Sequence, residues 1–165
     1  MALVRPYEDR DHDACVRLWV QLTEWHREIY ADDSIGGDDL TLWFDRYLAE
    51  QKPLHVWVAE VDGRVVGFTG AHDQDQRWEL EPIVVDRAFR TGGVGSALVA
   101  ALVDAARAAG KRGVIVHPAA RNVGALRFFH GHGFDVLGQI ELVLDLARPE
   151  RWREGERLAG REFRV

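Results

Sequence analysis

The sequence predicts one α+β domain in which amphipathic helices pack on a sheet of short strands. Its length of 165 residues fits a single domain, and a hydrophobic content of 47% is sufficient for one core. Apolar residues recur at helical spacing along residues 15–29, which predicts a long helix. Two β-rich runs joined by Asp62-Gly63 predict a hairpin, because Asp-Gly is a strong signal for a tight turn.

Charge, cysteine content and hydropathy narrow the class of protein. The net charge of -6 argues against a nucleic-acid partner, because a polyanion would be repelled. The single cysteine, Cys15, cannot form an internal disulfide and suits a reducing compartment. No apolar run has the length of a membrane span, and no signal peptide is recognisable. We therefore expect a cytoplasmic protein without a membrane partner.

The first elements are predicted to be a strand at Ala2–Pro6 and a helix that ends near Tyr30. The acidic segment Glu8–Asp13 suits the positive end of that helix. The core stripe of the helix consists of Cys15, Leu18, Leu22, Trp25 and Ile29. A second set of residues at helical spacing on the same helix is aromatic and polar. This second line could either form the wall of a cleft or pack at the boundary of the core. Its members are Trp19, Thr23, His26 and Tyr30.

Residues 31–39 are predicted to form an acidic loop, with pairs of aspartates on both sides of Gly36-Gly37. Two of these aspartates could cap the next helix, and the others could attract a cation. The next helix is predicted from apolar residues at helical spacing, namely Leu40, Trp43, Phe44, Tyr47 and Leu48.

The remaining elements follow from β-branched runs, one alanine- and leucine-rich run, and turn signals. They are hairpin strands at His55–Val61 and Arg64–Gly70, a polar turn at Ala71–Gln76, a central strand at Leu80–Val85, a helix at Ser96–Ala109, and strands at Gly113–His117 and Gln139–Leu146. The tail, residues 148–165, matches no element of this kind. It could fold back on the body or cross to a second subunit, which would make a homodimer.

The stretch Ile83–Leu98 is typical of a strand, a glycine-rich turn and the start of a helix. Unpaired N–H groups at a helix start bind phosphate, and glycines let the phosphate come close. Arg90 adds a planar cation beside them. A P-loop would need lysine and then serine or threonine after the last glycine, and a dinucleotide fingerprint would need a small residue in place of Leu98. Neither motif fits, and a plain helix-capping turn is the alternative.

Two motifs carry a resemblance to a known family. The pattern Arg-x-x-Gly-x-Gly at residues 90–95, with Val85 five residues before the arginine, resembles the acyl-coenzyme A loop of the GNAT superfamily of N-acyltransferases. Residues 122–134 resemble its second signature, Asn-x-x-Ala-x-x-Phe-Tyr-x-x-x-Gly-Phe, except that Phe129 stands where tyrosine is specified. The two motifs together cover residues 80–134.

The resemblance implies a three-layer α/β/α fold. A mixed, mostly antiparallel sheet of about six to seven strands would be splayed open between the strands at 79–86 and 113–117 and flanked by about four helices. It also implies one GNAT acetyltransferase domain over residues 1–165 that uses acetyl-coenzyme A and holds no metal.

The cofactor-binding residues carried over from the two motifs are Ile83, Val84, Val85, Arg90, Thr91, Gly92, Gly93, Val94, Gly95, Ser96, Asn122, Ala125, Phe128 and Phe129. Backbone groups of Ile83 and Val85 should pair with pantetheine, and residues 90–96 should take the pyrophosphate. The side chain of Asn122 could equally be only the cap of its helix.

The reaction that the resemblance implies is direct attack of an amine on the thioester in a ternary complex. Glu81 matches a position where many members carry a glutamate that acts as the base through water. Glu79 lies on the same strand face and would help to attract a cationic amine, although either carboxylate could simply face solvent. Because Phe129 cannot donate a proton to the departing thiolate, we favour His117 as the acid, ahead of His130 and His132.

The acceptor is expected to be a small cationic primary amine. In this family it usually enters over the first two helices and their loop. The corresponding residues, whose carboxylates and aromatic rings suit a cation, are Trp25, His26, Tyr30, Asp32 and Asp33. A peptide N-terminus or a lysine is the alternative acceptor. The missing tyrosine also permits a sensor that binds acyl-coenzyme A without catalysis.

Overall fold

A five-stranded sheet is the central element of the fold, in a computed structural model that describes residues 2–147 and 152–165. Its strands are β1 (Leu3–Pro6), β2 (His55–Val61), β3 (Arg64–Gln74), β4 (Arg77–Val85) and β5 (Gly113–Ile115). They lie in sequence order; the first four pair antiparallel, and β5 pairs parallel to β4. The predicted mixed, mostly antiparallel sheet is confirmed, but it has five strands rather than six or seven.

Four helices occur in the described part of the chain, as predicted. They are α1 (His12–Tyr30), α2 (Leu42–Arg46), α3 (Val94–Ala108) and α4 (Val123–His130). A 3-10 turn at Asp9–Asp11 precedes α1, and a π-helical turn at Tyr47–Gln51 continues α2. Within the described ranges, no helix combines the length and the apolar character that a bilayer span requires.

The chain divides into two compact units, Met1–His117 and Pro118–Val165, and each is considered by itself. The first unit holds the five-stranded sheet with α1, α2 and α3. The second holds α4 and a separate hairpin of β6 (Glu154–Leu158) and β7 (Arg161–Arg164). Part of the predicted tail is thus a hairpin, whereas residues 148–151 lie outside the described residues.

In the first unit, helices pack on both faces of the sheet. One buried cluster joins α1 and α2 to the strands and consists of Cys15, Leu18, Phe44, Tyr47, Val58, Phe68 and Val84. The other joins α3 to the strands and consists of Ala59, Val66, Val94 and Leu98. Trp19, from the second line of α1, stacks on Phe68 with 6.0 Å between ring centroids, so this line packs into the core at that point. The predicted three-layer arrangement is confirmed.

Two predicted segments differ from the structure. Ala71–Gln76 was expected to be a polar turn, but β3 continues to Gln74 because Ala71 is buried and pairs with β4. Gln139–Leu146 was expected to be a strand, yet the structure assigns it no strand and no sheet partner in the described ranges. Its leucines are exposed. Alternating polarity makes a strand only where a neighbour pairs with the backbone N–H and C=O groups.

A buried ion cluster ties the start of α1 to the sheet. Arg5 of β1 donates to both carboxylate oxygens of Asp11, at 2.7 and 2.8 Å, and to Glu60 of β2 at 3.1 Å. Asp11 is 3% exposed and also accepts the backbone N–H of Glu8. The hydrogen bonds from Arg5 hold the pKa of Asp11 below its ordinary value, against the opposing effect of burial.

Replacing Asp11 by Asn should lower the free energy of unfolding by about 3 kcal/mol at pH 7, because Arg5 would lose its buried counter-ion. A lowered pKa means that this contribution is present above the ordinary aspartate pKa and is lost as pH falls through the folded value. The difference between the two proteins in urea unfolding should therefore shrink below about pH 4.

Asp104→Asn is the matched control, because Asp104 pairs with Arg107 on the surface and is 73% exposed. Its effect should stay within about 0.5 kcal/mol at either pH. Equal losses in the two variants, or a loss in Asp11→Asn that is independent of pH, would contradict the assignment.

Candidate functional site

The site is built around β4, which extends beyond the end of its neighbour β5. β4 pairs with β5 only from Arg77 to Glu79, and β4 then continues to Val85. On that side, no strand in the described ranges pairs with β4 beyond Glu79. The predicted splay between the two strands is therefore present. Its consequence is a row of backbone N–H and C=O groups along which an extended ligand can pair.

A bulge interrupts β4 at the start of this open stretch. Leu80 pairs with Ala71 and Ile83 pairs with Thr69, so two residues, Glu81 and Pro82, lie opposite one residue of β3. An extra residue of this kind bends a strand and redirects its side chains. The bulge therefore sets the direction of the Glu81 carboxylate.

Two buried hydroxyl groups hold the bulge. Tyr47 Oη donates to the carbonyl of Glu81 at 2.8 Å, and Thr69 Oγ1 donates to the carbonyl of Pro82 at 2.9 Å. Burial raises the pKa of Tyr47, so its hydroxyl remains a neutral donor. Gly70 makes room for the first bond, because a Cβ there would overlap Tyr47 Oη and lie 2.7 Å from the Glu81 carbonyl oxygen.

These contacts were not predicted from the sequence. Tyr47 was expected only in the apolar face of a helix, and Thr69 and Gly70 were expected only within a strand. Gly70 was the one available signal, since a glycine inside a strand pattern indicates a bulge or a close backbone approach.

An open cavity of about 510 Å³ lies beside the bulge. It is lined by Gln51, Lys52, Leu54, His72, Asp73, Gln74, Glu79 and Glu81. Glu79 and Glu81 therefore face the same space, as the strand period predicts. Asp73 is paired with Lys111 at 2.6 Å, whereas the Glu81 carboxylate has no hydrogen-bond partner among the described residues. Its free charge favours a cationic ligand.

Glu79 belongs to a chain of three side chains. Its Oε1 lies 2.6 Å from His117 Nδ1, and its Oε2 accepts a hydrogen bond of 2.9 Å from Gln74 Nε2. Glu79 is 14% exposed, whereas the imidazole of His117 is 58% exposed. Each carboxylate oxygen of Glu79 thus has a hydrogen-bond partner, and the ring of His117 is hydrogen-bonded at Nδ1.

The glycine-rich turn begins α3 as the sequence predicts. Gly93 is the residue before the helix and has a φ of 77°, a left-handed conformation that favours glycine. A Cβ at Gly93 would meet no atom within 4 Å, so the space beside this residue is open. Arg90 Nε donates to the carbonyl of Val85 at 3.2 Å. These residues fit an anionic phosphate group.

Trp25 lies beside the arginines that follow β4. The guanidinium carbons of Arg87 and Arg90 are 5.9 and 5.5 Å from the centroid of its ring. Burial lowers the pKa of Arg90, and the charge of Arg87 acts in the same direction. Trp25 was predicted to contact the acceptor; the structure shows its ring beside Arg87 and Arg90, and its role toward the acceptor stays a prediction.

The other residues predicted to contact the acceptor lie near the end of α1. Burial lowers the pKa of His26, and Asp32 accepts hydrogen bonds from both the backbone and the hydroxyl of Ser34. Asp33 lines a shallow second pocket of about 660 Å³. None of the five, all of them described, lines the cavity beside Glu81, whose lining residues are Gln51 and residues that follow it. Their role stays a prediction.

Four predicted cofactor-binding residues lie in the second unit. Asn122 Oδ1 accepts the backbone N–H of Ala125 at 3.0 Å, which is the cap that the sequence also allowed. The rings of Phe128 and Phe129 meet at 5.3 Å in a T-shaped contact, and Phe129 is buried. Their role toward the cofactor stays a prediction.

The fold of the chain is that of known acetyltransferases. A crystal structure of an acetyltransferase from Trypanosoma brucei has a TM-score of 0.63 and 24% identity, over 88% of this chain and 100% of that one. AAC(6')-Iy, solved in complex with the bisubstrate analogue CoA-S-monomethyl-acetylneamine, has a TM-score of 0.63 and 18% identity, over 89% of this chain and 99% of that one.

The chain belongs to the acetyltransferase (GNAT) family, whose model matches residues 19–134. An uncharacterized N-acetyltransferase of Methanocaldococcus jannaschii is 30% identical over 115 residues, or 61% of this chain. The match covers 50% of that relative, so this chain spans about half its length. L-methionine sulfoximine/L-methionine sulfone acetyltransferase of Salmonella typhimurium is 28% identical over 70% of this chain and 69% of its own. The family predicted from the two motifs is confirmed.

Replacing Tyr47 by Phe should lower the free energy of unfolding by about 1–3 kcal/mol, because the carbonyl of Glu81 would lose the donor that the buried Tyr47 hydroxyl provides. Urea unfolding measures this loss. Tyr7→Phe, at a tyrosine that packs against Phe44 outside the bulge, serves as the comparison. If Tyr47→Phe proved as stable as the parent protein, the hydroxyl would not hold the bulge.

Proposed function

We propose that the protein transfers the acetyl group of acetyl-coenzyme A to a small cationic primary amine by direct attack in a ternary complex. The observation that carries this proposal is the open cavity that holds the Glu81 carboxylate, which has no hydrogen-bond partner among the described residues, beside the edge of β4 that no described strand covers. Membership in the acetyltransferase family supports the reaction class. The cavity supports a charged acceptor.

The donor substrate supplies an activated acetyl group as a thioester. We assign its pantetheine arm to the backbone of Ile83, Val84 and Val85, which no strand in the described ranges covers on the β5 side. We assign its pyrophosphate to Arg90 and the loop residues that follow, Thr91, Gly92, Gly93, Val94, Gly95 and Ser96. The open space beside Gly93 and the adjacent guanidinium support this assignment.

Glu81 is the base in this proposal. A primary amine is mostly protonated at neutral pH, and only its free form is a nucleophile. A carboxylate that faces the cavity attracts the ammonium ion and accepts its proton, either directly or through one water molecule. The bulge directs this carboxylate, because Tyr47 fixes the carbonyl of the same residue. A donor for the oxyanion is available in the backbone N–H groups along the open edge.

The charges of the cavity favour a cationic amine over a neutral acceptor. Three carboxylates and one ammonium group line it, and one of those carboxylates, Asp73, is already paired with Lys111. The Salmonella relative is named for two small amino-acid derivatives, which also supports a small acceptor. A peptide N-terminus or lysine remains the alternative. A sensor that binds acyl-coenzyme A without turnover is a further alternative, and turnover separates it from an enzyme.

Thiol release from acetyl-coenzyme A, followed with a chromogenic disulfide, should be stimulated by one class of small cationic amines and not by short peptides. Glu81→Gln should lower kcat/KM about 100-fold with the best amine, because the variant side chain cannot accept a proton. Glu156→Gln, an exposed residue of β6, should keep the parent rate. Saturation with a peptide and none with small amines would reverse the acceptor order; no release with either, in folded protein, would favour the sensor.

Arg90→Gln should raise the KM for acetyl-coenzyme A about tenfold and change kcat by less than about twofold, because a phosphate contact far from the reacting atoms contributes equally to the ground and transition states. Arg112→Gln, which removes an exposed arginine bonded to Gln76, is the control. A variant of Arg90 that lowers kcat and leaves KM unchanged would place this arginine outside the phosphate site.

A further inference from the structure

The side chains of Gln74, Glu79 and His117 are linked by hydrogen bonds in a way that does not suit Glu79 to act as a base. Glu79 is largely buried, and each of its carboxylate oxygens already has a partner, His117 on one side and Gln74 on the other. A carboxylate with both oxygens occupied is poorly placed to take a proton from an incoming amine. It is well placed to orient an imidazole ring, because a hydrogen bond at Nδ1 fixes both the tautomer and the direction of Nε2.

His117 has the complementary arrangement. Its Nδ1 is bonded to Glu79, whereas the ring as a whole is more than half exposed, so Nε2 can exchange protons with solvent. It follows β5, which pairs with β4 up to Glu79, so the ring lies where the two strands part. A protonated imidazole there carries two N–H groups. The Nδ1–H group is bonded to Glu79, and the Nε2–H group is available to a leaving group.

We propose that His117 donates the proton that the leaving thiolate takes up, and that Glu79 and Gln74 are positioning residues for its ring. The inference rests on the proposed acetyl transfer. As the acetyl C–S bond breaks, the Nε2–H proton moves to sulfur, which leaves as a thiol, and His117 is left as the neutral Nδ1–H form held by Glu79. An ammonium acceptor gives up two protons: Glu81 takes the first before the attack and releases it to solvent, and the second leaves the tetrahedral nitrogen through Glu81 or water. Solvent reprotonates Nε2, so one proton is released overall.

This division of labour assigns different roles to two carboxylates on one strand face. Glu81 is exposed and its carboxylate has no hydrogen-bond partner among the described residues, which suits a base. Glu79 is fixed by its hydrogen bonds to Gln74 and His117, which suits a group that stabilises an imidazolium ion. The other ionisable groups that line the cavity are Lys52, His72 and Asp73, and Asp73 is paired with Lys111. The structure therefore provides an acid where Phe129 cannot act as one.

A double-mutant cycle tests whether Glu79 acts through His117. With the best amine of the panel, His117→Ala should lower kcat about 100-fold. Glu79→Gln should lower it about tenfold, the loss of one charged hydrogen bond. In the His117→Ala background Glu79→Gln should have no further effect, and Gln74→Leu should behave in the same way with a smaller loss. Asp104→Asn is the acid-to-amide control on the surface of α3.

The tautomer of His117 gives a second readout that does not depend on turnover. In long-range ¹H–¹⁵N spectra, with the ring assigned by its absence in His117→Ala, the neutral ring should carry its proton on Nδ1. Glu79→Ala should remove that preference, and Asp104→Asn should keep it. A ring without a preferred Nδ1–H form in the parent protein would overturn the positioning role.

The outcomes separate this inference from the proposed function. If the parent protein turns over no amine or peptide, both proposals fail together. If the parent is active and His117→Ala keeps its rate, or if Glu79→Gln costs as much in the His117→Ala background as in the parent, only the present inference fails. Loss of rate in His117→Ala with a non-additive cycle and an Nδ1–H ring supports it.

Discussion

The candidate site depends on two hydroxyl groups that satisfy the carbonyls of a bulge. In a regular ladder those carbonyls would pair with β3, and Tyr47 and Thr69 instead take over that function inside the core. An unpaired buried carbonyl costs about 1–3 kcal/mol, which is a large part of the stability of a small domain. The hydroxyls therefore favour the bulged strand over a regular one, and only the bulged strand carries Glu81 in its observed direction.

The bulge also marks the position along β4 at which the site lies. Below it, β4 is paired on both sides, by β3 and by the short strand β5. Above it, β3 still pairs with β4 through Ile83 to Val85, while the side toward β5 has no described strand. A ligand that pairs with this edge lies next to Glu81, and the side chain of His117 lies where β5 has just ended. The edge proposed to bind the cofactor backbone and the side chain proposed to donate a proton thus lie close to the point where β4 and β5 stop pairing.

Local signals in the sequence were sufficient for much of this architecture. The helical spacing of α1, the Asp62-Gly63 turn and the change of period across Gly93 each depend on residues close together in the chain, and each element was found. Contacts between distant residues were not accessible in this way. Tyr47 and Glu81 are 34 residues apart, and His117 and Glu79 are 38 apart, so no pattern along the chain links them.

The errors have the same physical origin. Residues 73–76 of the predicted polar turn are polar because they lie at the exposed end of a hairpin, where β3 pairs with β4 as far as Gln74. That pairing places Gln74 diagonally across from Glu79, since His72 is the direct partner of Glu79 and residues two apart share a face. Gln74 was therefore not predicted to contact Glu79, because the predicted strand ended at Gly70 and the observed strand continues to Gln74. Conversely, the alternating segment 139–146 has the pattern of a strand but no partner in the described ranges.

A single strand separates two kinds of electrostatic environment in a chain whose net charge is -6. Before and at the bulge, β4 presents carboxylates to a cavity open to water. After β4 ends, Arg87 and Arg90 gather around Trp25 beside the turn that begins α3. Negative charge near the phosphates of the donor would weaken its binding, and positive charge near Glu81 would repel an ammonium acceptor. The proposed phosphate site and the proposed acceptor cavity therefore differ in charge, and the one ammonium group that lines the cavity, that of Lys52, is outnumbered by three carboxylates.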